Sequence, residues 1–234
     1  PKNFPPFPGH EIDLYAVLDP ARQVGCYLYD FFIHENTLFF AIGDVSGKGI
    51  PASLLMASTI SLLRTLSSGS NSPSQIAYSL NNSIAERNEA DMFVTFFIGM
   101  LDLRTGVMKY CNAGHTPPVL TSPDRTVAFF EMQSDLPLGI LKNHDYQEYT
   151  YRFVSGSGIL LYTDGVTDAE NEKNEFYTRE RLLEIVTQNQ ELHPREFIRS
   201  IINDIQSHIK SHELSDDLSM LTFIYGSEWN IKKS

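Results

Sequence analysis

The stretch that decides the fold is Phe93-Val-Thr-Phe-Phe-Ile-Gly-Met-Leu101, followed by Asp102-Leu-Arg-Thr-Gly106 and Val107-Met-Lys-Tyr-Cys111. The first and third segments are rich in bulky and β-branched residues, which favour strands. The five residues between them end in glycine and suit a hairpin connection. Because a hairpin joins neighbouring antiparallel strands, this region predicts an antiparallel sheet rather than the parallel sheet of βαβ units.

Further strands and helices are predicted on both sides of this hairpin from alternating and helical spacing of apolar residues. The predicted strands are Ile12–Leu18, Tyr27–Ile33, Thr37–Ile42, Val119–Thr121, Val127–Phe130, Gly158–Tyr162 and Leu218–Tyr225. The predicted helices lie after Pro51, after Ser72-Pro73, near Thr178–Gln188 and near Pro194–Ile209. Helices that come in pairs between groups of hairpin strands predict an α+β fold, an antiparallel β-sandwich flanked by pairs of α-helices. We expect the Leu and Met side chains of Leu54–Ala57 to lie in the core.

Length and composition exclude several classes of protein. The chain has 234 residues, of which 42% are hydrophobic, so wholesale disorder is excluded. The formal charge of −11 argues against nucleic acid as a partner, because an acidic chain gains nothing from displacing phosphate counterions. Contiguous apolar runs such as Phe93–Leu101 are too short to cross a bilayer. Two cysteines, Cys26 and Cys111, make neither a disulfide framework nor a zinc site and suggest a reducing compartment.

The domain organisation follows from the absence of repeats and long internal linkers. We expect a single domain over residues 11–228 and a short C-terminal tail over 229–234. The proline-rich start, residues 1–10, is expected to be an extended linker from an upstream region missing from this sequence, since it begins at Pro1 and has no signal peptide.

Three acidic motifs stand at predicted strand ends beside small residues. They are Gly43-Asp-Val-Ser-Gly-Lys-Gly49, Tyr162-Thr-Asp-Gly-Val-Thr-Asp168 and Ser215-Asp-Asp-Leu-Ser219. Isolated carboxylates that converge on a sheet edge repel each other, and a hard divalent cation with a preference for oxygen ligands relieves that repulsion. For any one motif alone, the alternative is that Asp-Gly simply marks a turn.

Two other kinds of site fail on spacing. A P-loop requires four residues between its glycines and a Ser or Thr after the lysine, whereas Gly49 follows Lys48 here. Ser46 does not stand in the G-x-S-x-G pattern of a nucleophile elbow. A triad of Ser46, His115 and an aspartate stays open, although nothing in the sequence places these groups together. His115 lies in a predicted turn, where capping or packing is favoured over proton transfer.

The chain resembles the SpoIIE/RsbU-like branch of the PPM-type serine/threonine phosphatases. Six motifs carry the resemblance, and they occur in the family's order: Gly43–Ala57, Phe93–Phe97, Asn112–Pro118, Leu136–Ile140, Tyr162–Asp168 and Ser215–Ser219. The resemblance implies a four-layer αββα fold. It also implies a metal-dependent enzyme in which a metal-activated water hydrolyses a phosphoserine or phosphothreonine, with no serine or cysteine nucleophile.

The resemblance also assigns ligands for two Mn²⁺ or Mg²⁺ ions. Asp44 matches the bridging carboxylate, and Val45 matches a residue that lends its backbone carbonyl. Asp164 matches a further ligand, and Asp216 is preferred to Asp217 as the match to the late acidic ligand. Asp168 matches a position that helps to hold an additional, weaker metal.

The sequence departs from the family at the motif that supplies the second metal. The family usually has Val-Gly-Gly-Asp-x-Tyr-Asp, whereas this chain reads Val24-Gly-Cys-Tyr-Leu-Tyr-Asp30. Tyr27 therefore replaces the aspartate and Cys26 replaces a glycine. A phenol has a reference pKa of about 10 and is a poor substitute for an anionic ligand. Asp30 is three residues on and faces the other side of a regular strand.

We accordingly expect one metal to be kept, the second to bind weakly, and activity to be reduced. The alternatives are a pseudophosphatase that acts as a non-catalytic partner-binding module, and a fully active site in which Tyr27 is a harmless core residue. A third alternative is a hydrolase of small phosphate esters. Arg22 and Lys48 are candidate phosphate contacts, with ordinary solvated surface positions as the alternative.

The resemblance extends to partners and location. It implies a phosphoprotein substrate that resembles an anti-sigma-factor antagonist, in a bacterial signalling protein. An upstream sensor or receiver domain in the full-length chain would control the phosphatase, and the domain would form a homodimer. We expect this domain to be cytoplasmic, whether or not the full-length protein is anchored to a membrane.

Overall fold

The structure, a computed structural model, describes residues 12–19, 27–47, 49–67, 69, 72–86, 92–210, 214 and 217–226, with the backbone alone at Asp19 and Tyr27. The predicted linker 1–10 and tail 229–234 lie outside these residues. The strands in the described ranges are β1 Ile12–Asp19, β2 Tyr27–His34, β3 Thr37–Val45, β4 Val94–Asp102, β5 Val107–Ala113, β6 Val119–Thr121, β7 Val127–Phe129, β8 Tyr149–Arg152, β9 Gly158–Tyr162 and β10 Leu218–Tyr225. The helices are α1 Ile50–Ser67, α2 Pro73–Glu86, α3 Arg179–Asn189 and α4 Pro194–Ile209, with a short 3-10 helix at Asp164–Val166.

One compact unit, the α1–α2 unit, contains a five-stranded antiparallel sheet in the order β2-β3-β4-β5-β8. Leu63 of α1 and Ile76 and Leu80 of α2 share a buried cluster with Ala41 of β3 and Ile98 of β4. The helix pair thus covers one face of this sheet, and apolar burial of this kind is the main stabilising term. The hairpin predicted at β4 and β5 is confirmed, with Ile98 paired to Cys111.

The other compact unit, the α3–α4 unit, contains a second five-stranded antiparallel sheet in the order β1-β10-β9-β6-β7. Leu182 of α3 and Ile198 and Ile201 of α4 share a buried cluster with Leu160 of β9 and Met220 of β10. Two antiparallel sheets, each with its own helix pair, confirm the predicted α+β class.

Helix α1 differs from the sequence expectation. Leu54 is 64% exposed, so the prediction that the Leu and Met side chains of Leu54–Ala57 lie in the core is wrong at Leu54. The segment is apolar around most of its circumference, so its spacing does not identify the buried face. Among the described helices, α1 alone is long and apolar enough to cross a membrane by length and composition. A search for contiguous apolar runs does not find α1, because serines and threonines interrupt its sequence. Core helices meet the same criterion of length and composition.

Asp30 faces helix α1, as expected for a regular strand. The pairing of β2 with β3 runs without interruption from Tyr27–Asp44 to His34–Thr37. The Asp30 carboxylate is 6% exposed and accepts two hydrogen bonds from the Arg64 guanidinium, at 2.7 Å from Nε and 2.9 Å from Nη2. This bidentate pair ties the last turn of α1 to the sheet, so Asp30 does not turn round to replace the missing aspartate at position 27.

Arg64→Ala should lower the free energy of unfolding by about 1–2 kcal/mol. The change leaves a buried carboxylate without its charged donor, but the guanidinium is more than half exposed and solvent weakens the pair. Urea denaturation measures the loss. Arg104→Ala is the matched control, because the Arg104–Asp102 pair is more exposed at both partners. Equal stability of the Arg64 variant and the parent would contradict the role assigned to the pair.

Candidate metal centre

Asp44 lies at the end of β3, between two other strands of the α1–α2 sheet. Its partner on β2 is Tyr27 and its partner on β4 is Thr95. Cross-strand partners are the closest residues between neighbouring strands. The backbone register therefore puts the altered position 27 directly beside Asp44, where the resemblance expects a second metal ligand.

Ser46 follows the two candidate ligands Asp44 and Val45 and is anchored to Phe93. Its hydroxyl oxygen accepts a hydrogen bond from the backbone N–H of Phe93 at 2.7 Å. Its own backbone N–H donates to the Phe93 carbonyl at 2.8 Å. These bonds give Ser46 a backbone-supporting role, which differs from the nucleophile role weighed from its sequence pattern.

His115 is held in a tight turn next to Thr95 of β4. The Asn112 side chain accepts a hydrogen bond from the His115 backbone N–H at 2.9 Å and donates to its carbonyl at 3.1 Å. Gly114 has a φ of 76°, and an added Cβ would lie 2.6 Å from Pro137. The His115 Nδ1 lies 3.2 Å from the Thr95 hydroxyl, so the ring is next to the partner of Asp44. His115 therefore packs in the turn, as expected, and also contacts Thr95.

Three other candidate carboxylates, Asp164, Asp168 and Asp217, belong to the α3–α4 unit and lie next to the ends of two neighbouring strands. Asp164 opens the 3-10 helix just after β9, and Asp217 lies just before β10, which pairs antiparallel with β9. Asp164 and Asp168 are exposed, whereas Asp217 is only 4% exposed. The Thr167 hydroxyl donates to the Asp168 carboxylate at 3.0 Å. Two of the three acidic motifs thus stand at neighbouring strand ends, and the convergence of all three stays a prediction.

Hydrogen bonds of the backbone and of one hydroxyl join the end of β9 to the start of β10, close to these acidic residues. The Thr163 N–H donates to the Ser219 carbonyl at 3.0 Å, and the Ser219 N–H donates to the Thr163 hydroxyl at 3.2 Å. The Asp168 N–H donates to the Asp164 carbonyl at 2.8 Å, which closes the turn between the two exposed carboxylates.

Several predicted site residues fall outside the described part of the chain: Arg22, Cys26, Lys48 and Asp216. Their assignments stay predictions, and the choice of Asp216 over Asp217 is among them. Across the ranges that the structure does describe, no three Asp, Glu, His or Cys side chains form a cluster that could hold a metal. The donor set itself, carboxylates and a backbone carbonyl, has the all-oxygen chemistry that Mg²⁺ and Mn²⁺ prefer.

Cys111 does not supply a nucleophile to this region. Burial, together with the nearby Asp135 and Glu148 carboxylates, raises the pKa of its thiol to about 12. A thiol with this pKa is protonated near neutral pH, and the thiolate is the reactive form. Cys111 is therefore a small apolar residue of the β5 core.

Comparison with known proteins identifies the family. The profile of "Stage II sporulation protein E (SpoIIE)" matches residues 34–224, most of the chain. The chain belongs to the SpoIIE family. The matched range contains Asp44, Asp164 and both late aspartates, Asp216 and Asp217, so the resemblance drawn from the six motifs is confirmed at the level of the family.

Individual relatives of this SpoIIE-family chain share less than a third of its residues. Phosphoserine phosphatase RsbU of Bacillus subtilis (strain 168) is 28% identical over 211 residues, which cover 90% of this chain and 62% of RsbU. Protein IcfG of Synechocystis is 28% identical over an alignment 235 positions long, which covers 88% of this chain and 37% of IcfG. The chain thus spans less than two thirds of both relatives.

Solved structures support the SpoIIE-type fold. The SiaA-PP2C domain of Pseudomonas aeruginosa matches with a TM-score of 0.80 at 16% identity, over 91% of this chain and 85% of that one. The PP2C phosphatase domain of SpoIIE from Bacillus subtilis, solved with a fragment of its regulatory domain, matches with a TM-score of 0.79 at 17% identity, over 91% of this chain and 63% of that one. At these identities the likeness concerns the fold alone.

Proposed function

We propose that the chain is a metal-dependent protein serine/threonine phosphatase domain that hydrolyses phosphoserine or phosphothreonine with a metal-activated water. The observation that carries the proposal is the SpoIIE-family match over residues 34–224, within which the candidate carboxylates stand at strand ends. The description of RsbU as a phosphoserine phosphatase supports the same reaction.

Each candidate residue has a defined task in this proposal. Asp44, Asp164 and Asp216 hold Mn²⁺ or Mg²⁺ through carboxylate oxygens, and Val45 adds its carbonyl. A bound pair of cations would supply a water of lowered pKa and neutralise charge on the phosphoryl oxygens. Asp217 and Asp168 are further acidic neighbours of these ligands. Arg22 and Lys48 are proposed to orient the phosphate.

Tyr27 makes the two metal positions of the proposed site unequal in affinity. Its position beside Asp44 in the register lacks the carboxylate expected of a ligand to the second metal. We therefore infer weak binding of the second cation and reduced turnover. The same observation favours the second candidate function, a pseudophosphatase that binds a partner without turning it over.

Substrate, partners and setting are proposed from the resemblance. The substrate is a small phosphoprotein of the anti-sigma-factor-antagonist type, and a sensor or receiver domain upstream regulates the phosphatase. A homodimer and a cytoplasmic location of this domain are part of the same proposal. The limited coverage of RsbU and IcfG is compatible with further segments in a longer protein.

The test compares two substrates at saturating Mn²⁺: a phosphoserine-bearing antagonist protein and a chromogenic aryl phosphate. We expect phosphate release from both, and we expect EDTA to abolish it. We also expect kcat/KM to be at least about tenfold higher for the protein, which corresponds to an activation free energy lower by about 1.4 kcal/mol. Equal values would favour a small-ester hydrolase. Release that survives EDTA would contradict the metal-dependent reaction.

A further inference from the structure

The peptide group between Val45 and Ser46 has a fixed orientation. The Ser46 N–H donates to the Phe93 carbonyl, which continues the line of β4, at 2.8 Å. In a planar trans peptide, the C=O points opposite to the N–H. The Val45 carbonyl consequently points away from β4, towards the side of the sheet on which β2 begins at Tyr27.

The Ser46 side chain completes this attachment. In a continued antiparallel ladder, the Phe93 N–H would donate to the backbone carbonyl of its partner. Here the Ser46 hydroxyl oxygen accepts that N–H at 2.7 Å. The next residue, Gly47, has a φ of 95°, a conformation that glycine adopts without strain. The chain can thus leave the strand immediately after Val45 and still keep the Val45–Ser46 peptide in place.

We propose that Ser46 is a positioning residue, which fixes the Val45 carbonyl and the adjoining Asp44 for a divalent cation. This inference rests on the proposed function, because it needs Asp44 and Val45 to be metal ligands. Residues that orient metal ligands typically change metal affinity by about 10–100-fold when they are removed. The role differs from that of a nucleophile, since the Ser46 oxygen serves as an acceptor for a backbone group.

Isothermal titration with Mn²⁺ alone tests the inference without any phosphatase assay. Ser46→Ala should raise the Kd for Mn²⁺ by about 10–100-fold, and Ser46→Thr, which keeps the hydroxyl, should recover most of the affinity. Ser207→Ala is the matched control, because the exposed Ser207 hydroxyl of α4 also bonds a backbone group, to which it donates: the Asn203 carbonyl. This control should leave the Kd unchanged.

A purely structural serine gives a different pattern. Ser46→Ala would then lower the free energy of unfolding in urea and leave the Kd for Mn²⁺ unchanged, which would overturn the inference. In the unaltered chain without metal, the amide protons of Ser46 and Phe93 should be protected from hydrogen exchange, and rapid exchange of both would also overturn it. This second measurement applies even if the alanine variant does not fold.

The same titration separates this inference from the proposed function. If the parent binds Mn²⁺ through Ser46-supported ligands but releases no phosphate, the proposed function fails and the positioning role of Ser46 stands. If the parent binds no Mn²⁺, both fail.

Discussion

Asp44→Ala is expected to lower Mn²⁺-dependent phosphate release by about 1,000-fold or more. In the proposed site Asp44 would serve both metal positions, so its loss would remove charge from both at once. Metal chemistry of this kind is worth several kcal/mol of transition-state stabilisation. Asp44 lies at the end of β3, between Tyr27 and Thr95 in the register, so no other described carboxylate occupies its place in the sheet. The kcat/KM with a phosphoserine protein is the quantity to compare.

Two controls make the Asp44 result specific. Asp145→Ala removes an exposed carboxylate of the same unit, outside the acidic motifs, and should leave the rate unchanged. Asp44→Asn keeps the shape of the side chain and should be nearly as inactive as Asp44→Ala if charge is what matters. Circular dichroism checks that both variants are folded. A rate within tenfold of the parent in both Asp44 variants would remove Asp44 from the site.

Tyr27→Asp is expected to raise both the affinity for Mn²⁺ and the rate, each by about tenfold or more. A carboxylate is an anionic oxygen ligand of the kind that hard cations select, whereas a phenol with a pKa of about 10 is neutral near pH 7. The register with Asp44 places the new carboxylate beside the proposed bridging ligand. Titrations of phosphate release against Mn²⁺ concentration measure both effects.

Tyr27→Asn and Tyr27→Phe separate charge from size in this experiment. Both remove the phenol without adding an anion, so both should stay close to the parent. If the parent chain releases no phosphate and the Tyr27→Asp variant does, the result would favour the partner-binding pseudophosphatase. No gain in affinity or rate would show that the site recruits other ligands and that Tyr27 is a harmless replacement.

The sequence predicted the local elements well, for physical reasons that individual segments illustrate. The β4–β5 hairpin has a short connection and strong β-branched and aromatic strands, so local signals alone specify it. Helix α4 has its apolar residues on one clear face, with Pro194 in its first turn. Strand β8, Tyr149–Arg152, was missed because it has only four residues, all at least partly exposed, and gains its place by pairing with β5.

The contacts that build the candidate site were much less predictable. The motifs identified Asp44, Asp164 and the late aspartates as candidates, but Ser46 meets Phe93 across 47 residues of chain and Asp30 meets Arg64 across 34. Such bonds depend on register and on helix placement, which sequence periodicity does not report. Thr95 lies within the motif Phe93–Phe97, yet only the pairing of β3 with β4 shows that it is the partner of Asp44.

The most direct test is phosphate release by the unaltered chain from a phosphoserine protein over a Mn²⁺ titration, with Tyr27→Asp measured in parallel. We predict Mn²⁺-dependent release by the unaltered chain, still rising at concentrations where the Tyr27→Asp variant has already saturated. Silence of both proteins at every Mn²⁺ concentration, or release that does not depend on the metal, would contradict the proposal that this SpoIIE-family chain is a metal-dependent phosphatase.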